Sequence, residues 1–518
     1  MSGISKIFSA EVDGIDAKLI EVETDVNVGL HSFTIVGLAD KAVSEAKERV
    51  NSALKNIGVK PPSKENRRIV VNLAPADVKK AGSQYDLAIA VGYMIATEQI
   101  KEFDGRDKIF AGELALDGRL RPVSGILSVA RLAKDRGFKY VFVPTANAAE
   151  AAMVNGIKVV PVNSLGQAME YLEERQPLVV QPITDLDNLN ISNIDLLTAY
   201  IDISEIKGQA SAKRALMIAA AGGHNLMMSG SPGAGKTMMA QAISSILPPM
   251  NLEEIIEVTQ IYSAAGMLAD RPFISRRPFR APHHTASPVA VIGGGQNPRP
   301  GEISLSHRGV LFLDELPEFR RDLLEALRQP MEAGEVLISR ARGNLVFPAR
   351  FFLVAAMNPC PCGHHGDPEK ECQCTAFEII RYQRKLSGPL LDRVDLQVDV
   401  PRVKIEELRK KHADPAEGDN ARRKIVVARQ IQNERLRSRR KFTNSEMSSK
   451  DSDLLVRLES SAEESLKRML EKSIVSARGY YRILKVARTI ADLEQLENVT
   501  GDHIAEAFGY RLKLENNE

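Results

Sequence analysis

HNLMMSGSPGAGKTMMAQAISSIL, residues His224–Leu247, decides the fold. It opens with a short apolar run of strand type, turns through a glycine-rich loop, and continues at helical spacing. The loop, Gly230, Ser231, Pro232, Gly233, Ala234, Gly235, Lys236 and Thr237, fits G-x-x-x-x-G-K-[ST] between a strand and a helix, the context that gives the pattern its meaning. Glycines let the backbone fold tightly, so that its N–H groups converge on phosphate. Lys236 is placed to reach the β- and γ-phosphates, and Thr237 to ligate Mg²⁺. The alternative is a chance glycine turn before a helix.

Two strand ends and one helix end sharpen that reading. GVLFLDEL (Gly309–Leu316) is an apolar strand ending in Asp314 and Glu315. Asp314 suits a metal-bound water, and Glu315 suits polarising an attacking water, although Asp-Glu after a strand also serves as a plain helix cap. FFLVAAMN (Phe351–Asn358) ends in Asn358, a candidate to orient that water; Asn-Pro is also an ordinary turn signal. GPLLDRVDL (Gly388–Leu396) sets Arg393 after a short apolar helix, either as a cation reaching a neighbouring site or in a salt bridge with Asp392 or Asp395.

These motifs, with FRAPHHTAS (Phe279–Ser287), AAMNPCPCG (Ala355–Gly363), LSGPLLDR (Leu386–Arg393) and SARGYYRILKVARTIADL (Ser476–Leu493), resemble the helix-2-insert branch of AAA+ ATPases, which includes magnesium chelatase and the MCM helicases. Over nearly the whole chain the resemblance is to the ComM/YifB family of chelatase-like ATPases. It implies ATP and Mg²⁺ as cofactors and a homohexameric ring. It makes Asn358 the sensor-1 residue, Arg393 the arginine finger and Arg478 the sensor-2 residue, with Arg482 close enough to be confused with it. Gly208 and Gln209, in EIKGQ, match the positions that contact adenine. The task implied is branch migration of recombination intermediates, as in natural transformation.

The expected fold class is α/β in three parts. Residues 1–175 alternate strand and helix patterns, with strands at RIVVNL (Arg68–Leu73), KYVFVP (Lys139–Pro144) and IKVVPV (Ile157–Val162). Residues 176–195 read as a linker, 196–401 as the ATPase core, and 402–518 as a helical lid. Within the first part, Asn72–Met94 and Gly112–Pro144 resemble the proteolytic domain of Lon, whose Ser–Lys dyad is absent here. Gln84 falls near the nucleophile with Ser83 one place off, and Leu127 occupies the Lys position. A hydroxyl without a base in reach is a weak nucleophile, so this part reads as the fold without the protease, kept for assembly or for a protein partner.

The four cysteines, Cys360, Cys362, Cys372 and Cys374, form CPC-x9-CQC, within 360–374. Four thiolates suit a structural Zn²⁺, although paired cysteines in such sites are usually two to four residues apart. His364 and His365 are substitute ligands, and four reduced, unliganded thiols are the alternative. Two features point to DNA. Glu335–Val354 reads as strand, turn and strand with Arg340 and Arg342 near the turn. The resembling helicases project such a hairpin into the ring pore, where arginines track phosphates; a solvated hairpin tip fits equally well. The insert carrying Arg280, His283 and His284 supplies a second pore loop, or its histidines are structural. Arg422–Phe442 carries nine Lys or Arg against one acid, Glu434, for phosphate contact, a subunit interface or a solvated face.

Composition excludes other classes. With 518 residues, 44% apolar, 26% charged and net charge +2, this is ordinary globular material, and any basic surface is local. The apolar run Leu87–Ala96 is too short to span a bilayer and the first residues lack a signal-peptide stretch, so a cytoplasmic protein without membrane attachment is expected. The reading is an ATP-driven motor on single-stranded or branched DNA. Its rivals are a chelatase motor subunit, against which the Lon-like part and the cysteines speak, and a protein-remodelling ATPase.

Overall fold

The structure is a computed structural model and describes residues 3–64, 66–184, 201–268, 271–295, 298–340, 343–367, 369–403, 407, 415–472 and 476–511. The chain divides into two compact units. Unit 1 is Met1–Ile191, Asn251–Ile274 and Ser339–Phe347, and unit 2 is the remainder.

Unit 1 is built on a seven-stranded mixed sheet. Strands β1 (Gly3–Asp13) and β2 (Asp16–Val28) form a long antiparallel hairpin turning at Gly14, whose φ of 72° a side chain would strain. After β3 (Ser32–Val36) comes α1 (Lys41–Asn56), capped by the Asp40 carboxylate on Val43 N at 2.8 Å; it buries Val43, Ala46, Val50, Ala53 and Leu54 at helical spacing. Then follow β4 (Arg67–Ala74), α2 (Asp86–Ala96), β5 (Lys108–Phe110), α3 (Ile126–Asp135), β6 (Tyr140–Pro144), α4 (Thr145–Ala151), β7 (Lys158–Val162) and α5 (Leu165–Leu172). The sheet order is β3-β4-β2-β1-β5-β6-β7. The apolar run noted in the sequence is α2, a helix buried almost all round. Its first residue, Asp86, is buried beside Arg49 at 2.6 Å, and burial raises its carboxyl to about 6 despite that partner.

Unit 2 holds a five-stranded parallel sheet. Helix α6 (Ala210–Gly222) leads into β8 (Leu226–Ser229) and α7 (Lys236–Ile246). Helix α8 (Leu252–Ala265) belongs to unit 1. There Gln260 donates to Ile15 O at 2.6 Å, Gly125 N donates to Ser263 O at 3.1 Å, and the Ser263 hydroxyl bonds Glu150, whose carboxyl is raised by burial. The chain then supplies β9 (Phe279–Arg280), β10 (Val310–Leu313), β11 (Phe352–Met357) and β12 (Leu396–Asp399), in the order β9-β10-β11-β8-β12. Segments Glu335–Arg340 and Gly343–Pro348 form a separate two-stranded sheet. Helices α9 (Pro415–Leu436), α10 (Ser460–Lys472), α11 (Ala477–Leu493) and α12 (Gly501–Gly509) complete the chain, and share one apolar core with the parallel sheet.

Of the stretch read as a linker, Gln181 N donates to Val159 O at 2.8 Å and Thr184 N to Ala152 O at 3.1 Å; residues 185–195 lie outside the described residues. Among the described residues no helix is long and apolar enough to cross a membrane.

Candidate nucleotide site

Parallel strands deliver their loops to one edge of the sheet, beyond their carboxyl ends, and that is where ligands bind in such folds. Here β8, β10 and β11 are neighbours in register, Met228 facing Ala356 and Phe312 facing Val354. Their following residues are Gly230, Asp314 and Asn358. The glycine loop leaves β8 with Gly233 and Gly235 at φ of 79° and 88°, and Gly235 starts α7. A Cβ on Gly230 would strike the Val400 carbonyl, so this position too demands glycine.

The Lys236 ammonium is folded into its own loop, donating to Gly230 O at 2.7 Å, Ser231 O at 3.1 Å and Asn358 Oδ1 at 3.1 Å. Burial lowers its pKa, against the opposing pull of Asp314 and Glu315. Thr237 Oγ1 donates to Asp314 Oδ2 at 2.8 Å, two oxygen donors at the spacing that adjacent ligands of a hard cation require. Asp314 Oδ1 accepts from Glu315 N at 2.9 Å, and Glu315 sits at φ 51°, a conformation rare for a side-chain-bearing residue. Gly208 and Gln209 also have positive φ, and the Gln209 amide donates to Pro401 O at the start of α6.

The arginines take a different arrangement from the salt bridges considered in the sequence. Arg393 is buried and pairs with Glu332 at 2.5 Å, while its Nη1 donates to Pro389 O. Arg478 is exposed and stands 3.8 Å from the same carboxylate. Asp395 is held instead by Arg482 at 2.7 Å and by Asn225 N at 2.9 Å. Nothing in the sequence marked Glu332, which lies in a short helix, Arg328–Ala333, with no motif around it.

The insert histidines lie close to this chemistry. His284 Nδ1 is 3.7 Å from Glu315 Oε2, and its ring lies against that of His283 with centroids 4.1 Å apart and planes tilted by 34°. Arg280 is engaged by Glu302 through two bonds of 2.5 and 2.6 Å. Arg340 ends its strand; its side chain, and Arg342 altogether, lie outside the described residues.

The four cysteine sulfurs lie within 4.8 Å of one another. Cys360 is 3.4 Å from Cys362 and 3.7 Å from Cys372, and Cys362 is 3.6 Å from Cys372. A disulfide needs about 2.05 Å. Four thiolates at ~2.3 Å from a tetrahedral Zn²⁺ stand ~3.8 Å apart, so the donor set fits that ion. His364 pairs with Asp367 at 3.2 Å.

In unit 1 the Ser83 hydroxyl bonds Glu113, Gln84 donates to Glu11 at 3.0 Å, Leu127 is buried, and the Lys80 ammonium is fully enclosed and bonded to Pro75 O. Burial raises the Glu11 carboxyl to about 7 despite hydrogen bonds from Tyr85 and Ala81. The cationic stretch Arg422–Phe442, on α9 and just beyond it, is partly consumed internally: Arg429 donates to Ala220 O at 2.9 Å, Arg435 pairs with Asp492 at 2.5 Å, and Lys441 with Asp451 at 2.6 Å.

A glycine loop, an Asp–Glu strand end and a polar strand end side by side on a parallel sheet, followed by helices, define an AAA+-type core of the magnesium chelatase kind. Residues 202–408 match the model of magnesium chelatase, subunit ChlI; 22–147 match subunit ChlI of Mg-chelatase, and 416–511 the ChlI C-terminal model. The chain is 42% identical over 510 residues to the competence protein ComM of Haemophilus influenzae, covering 98% of this chain and 97% of that protein. It is 40% identical over 498 residues to YifB of Escherichia coli K12, covering 96% and 95%. It therefore belongs to the ComM/YifB family of magnesium chelatase-like proteins. The Lon-like likeness is to the Lon protease of Brucella suis, 24% identical over 217 residues, 35% of this chain and 26% of that protease.

Proposed function

We propose that the chain is an ATP-hydrolysing AAA+ motor that assembles as a homohexamer and moves on single-stranded or branched DNA, driving branch migration of recombination intermediates in the cytoplasm. The observation that carries the ATPase part is the convergence of Lys236, Thr237, Asp314 and Asn358 at the edge of one sheet. Lys236 exchanges its loop carbonyls for the β- and γ-phosphates, and the loop N–H groups hold the remaining oxygens. Thr237 and Asp314 would hold Mg²⁺, which neutralises phosphate charge when bound. Glu315 takes the proton of the attacking water and Asn358 orients that water. Arg393, freed from Glu332, completes the site of an adjacent subunit, and Arg478 serves as sensor 2 from the lid. Gly208 and Gln209 face the base.

The DNA part rests on the resemblance to helicases and on a relative that is a competence protein. Arg340, Arg342, His283 and His284 form the DNA-facing loops, contacting phosphates rather than bases. Cys360, Cys362, Cys372 and Cys374 hold a structural Zn²⁺ directly after the sensor strand. Residues 1–175 act as a protease-fold module without the dyad that engages a protein partner, 176–195 as linker, 196–401 as motor core and 402–518 as lid. The test uses Glu315→Gln protein: it binds ATP and does not turn it over, whereas wild type displaces a strand from forked DNA in an ATP-dependent way. ATP turnover by Glu315→Gln at the wild-type rate refutes the site. Wild-type ATPase without strand displacement refutes the DNA motor alone.

A further inference from the structure

The glycine loop has a neighbour besides the strand ends. The cysteine-bearing segment starts at Cys360, just after Asn358, and runs to the helix Ala376–Gln383; among its described residues there is neither helix nor strand. Short turns shape it, Gly363 N donating to Cys360 O at 3.0 Å and Asp367 N to His364 O at 3.1 Å. This segment lies directly on the glycine loop. Gly363 takes a φ of 82°, and a Cβ there would stand 2.5 Å from Pro232 Cδ, so the chain approaches the proline ring as closely as glycine permits. Asp367 makes the second contact. Its carboxylate is 1% exposed and is hydrogen-bonded by the Ser231 side chain. The same carboxylate pairs with Arg402 at 3.3 Å and with His364 at 3.2 Å, and accepts from Glu369 N at 3.0 Å. Ser231 in turn presents its carbonyl to the Lys236 ammonium at 3.1 Å. One residue thus faces the insert with its hydroxyl and the phosphate-reaching lysine with its carbonyl.

We infer that the cysteine insert braces the phosphate-binding loop, with Asp367 as the positioning residue between them, so that a Zn²⁺ ion held by the four thiolates raises the affinity for nucleotide. This rests on the readings of Gly230–Thr237 as a nucleotide loop and of the four cysteines as a Zn²⁺ site. A segment without helix or strand draws its order from the metal that cross-links it. Once ordered, it presents Gly363 and Asp367 to the loop with no further entropy cost when nucleotide binds. Coupling between two ligands is reciprocal, so nucleotide tightens Zn²⁺ by the same factor.

The experiment measures the Zn²⁺ affinity of the full-length protein in competition with a chelating dye, with and without saturating ADP. Wild type binds Zn²⁺ about 5–10-fold more tightly with ADP, within the range typical of such coupling. Metal-stripped protein binds ADP more weakly by the same factor, and Zn²⁺ alone restores it. Lys236→Ala at the same ADP concentration corrects for chelation by ADP itself. Asp367→Asn keeps the shape and all four thiolates, so it still takes up about one Zn²⁺ per chain, while the ADP effect falls below about twofold. Ser231→Ala, which removes the hydroxyl from the other side of the contact, gives the same loss. A wild-type Zn²⁺ affinity indifferent to ADP overturns the inference. So does an undiminished ADP effect in either variant, since the contact would then transmit nothing. A chain that takes up no Zn²⁺ overturns it too. Failure of the underlying nucleotide site is recognised separately, by the absence of ADP binding to Zn²⁺-loaded wild type.

Discussion

Asp395→Asn should weaken unit 2 far more than its near-identical volume suggests. The wild-type carboxylate is buried, accepts from Asn225 N at 2.9 Å and from Arg482 at 2.7 Å, and has His224 Nδ1 at 3.7 Å. Burial alone would push its pKa up; Arg482, His224 and the backbone N–H outweigh it and hold the carboxyl well below the usual carboxylate range. An amide in its place turns an NH₂ toward one of those donors and leaves Arg482, mostly enclosed, without its counter-charge. Breaking a buried pair by removing one partner costs about 3–5 kcal/mol, and the preserved shape together with the residual exposure of Arg482 reduces this to roughly 2–4 kcal/mol. At about 2 °C per kcal/mol for a unit of this size, the melting transition drops by about 4–8 °C. The sign with pH follows from the depressed folded pKa. The contribution is fully present above the unfolded value of about 3.9 and disappears as the pH falls below it. Scanning calorimetry of wild type, Asp395→Asn, Arg482→Met and the double variant at neutral pH checks this. If Asp395→Asn melts within about 1 °C of wild type, or the two single effects simply add, the pair does not hold α11 in place.

The remaining expectations concern other parts of the chain. Glu11→Gln should raise the melting temperature of unit 1 at pH 8 and lose that advantage near pH 4.5, because a carboxyl raised to about 7 stabilises the fold only while protonated; equal shifts at both pH values would refute it. Arg393→Ala should bind ATP and hydrolyse it poorly, and mixing it with Glu315→Gln protein should restore part of the activity, since a mixed ring contains an intact interface; a flat mixing curve would place Arg393 within its own subunit's chemistry or outside it. Elemental analysis should find about one Zn²⁺ per chain, lowered in Cys360→Ser with Cys374→Ser, while a value near zero would leave the four thiols unliganded.

The elements legible in the sequence were those whose pattern is dictated by burial on both faces or by phosphate chemistry. β6, β7, β8, β10 and β11 fall within a residue or two of the apolar runs, because strands largely covered on both sides have few polar positions to blur them; β4, buried only at alternate positions, was legible from its apolar residues Ile69, Val70, Val71 and Leu73. The hairpin β1–β2 escaped notice for the opposite reason. Its buried positions include Ser5, Ser9, Glu11 and Thr24, which write a polar residue where an alternating pattern needs an apolar one. In the site, the glycine loop and the Asp–Glu pair were readable because their spacing is fixed within a few residues. The pairing of Arg393 with Glu332, of Asp395 with Arg482, and of His284 with Glu315 joins residues 31 to 87 positions apart by sheet and helix packing, which no local spacing records.

The division of unit 1 among separated stretches of chain has a consequence for synthesis. Its sheet is complete once β7 has been made, yet α3 must wait for α8 to supply Gln260 and Ser263, and the turn at Gly14 must wait for Leu345 and Phe347. Residue 347 leaves the ribosome well after residue 191. At about 5–20 residues per second, that interval is roughly 10–30 s. During it the Ile15 carbonyl and the Glu150 carboxylate lack the hydrogen bonds that α8 supplies. A chain cut between Ile191 and Asn251 would lack those bonds permanently. Removing residues 1–175 would in turn strip α8 of the partners of Gln260 and Ser263, the Ile15 carbonyl, the Gly125 N–H and the Glu150 carboxylate.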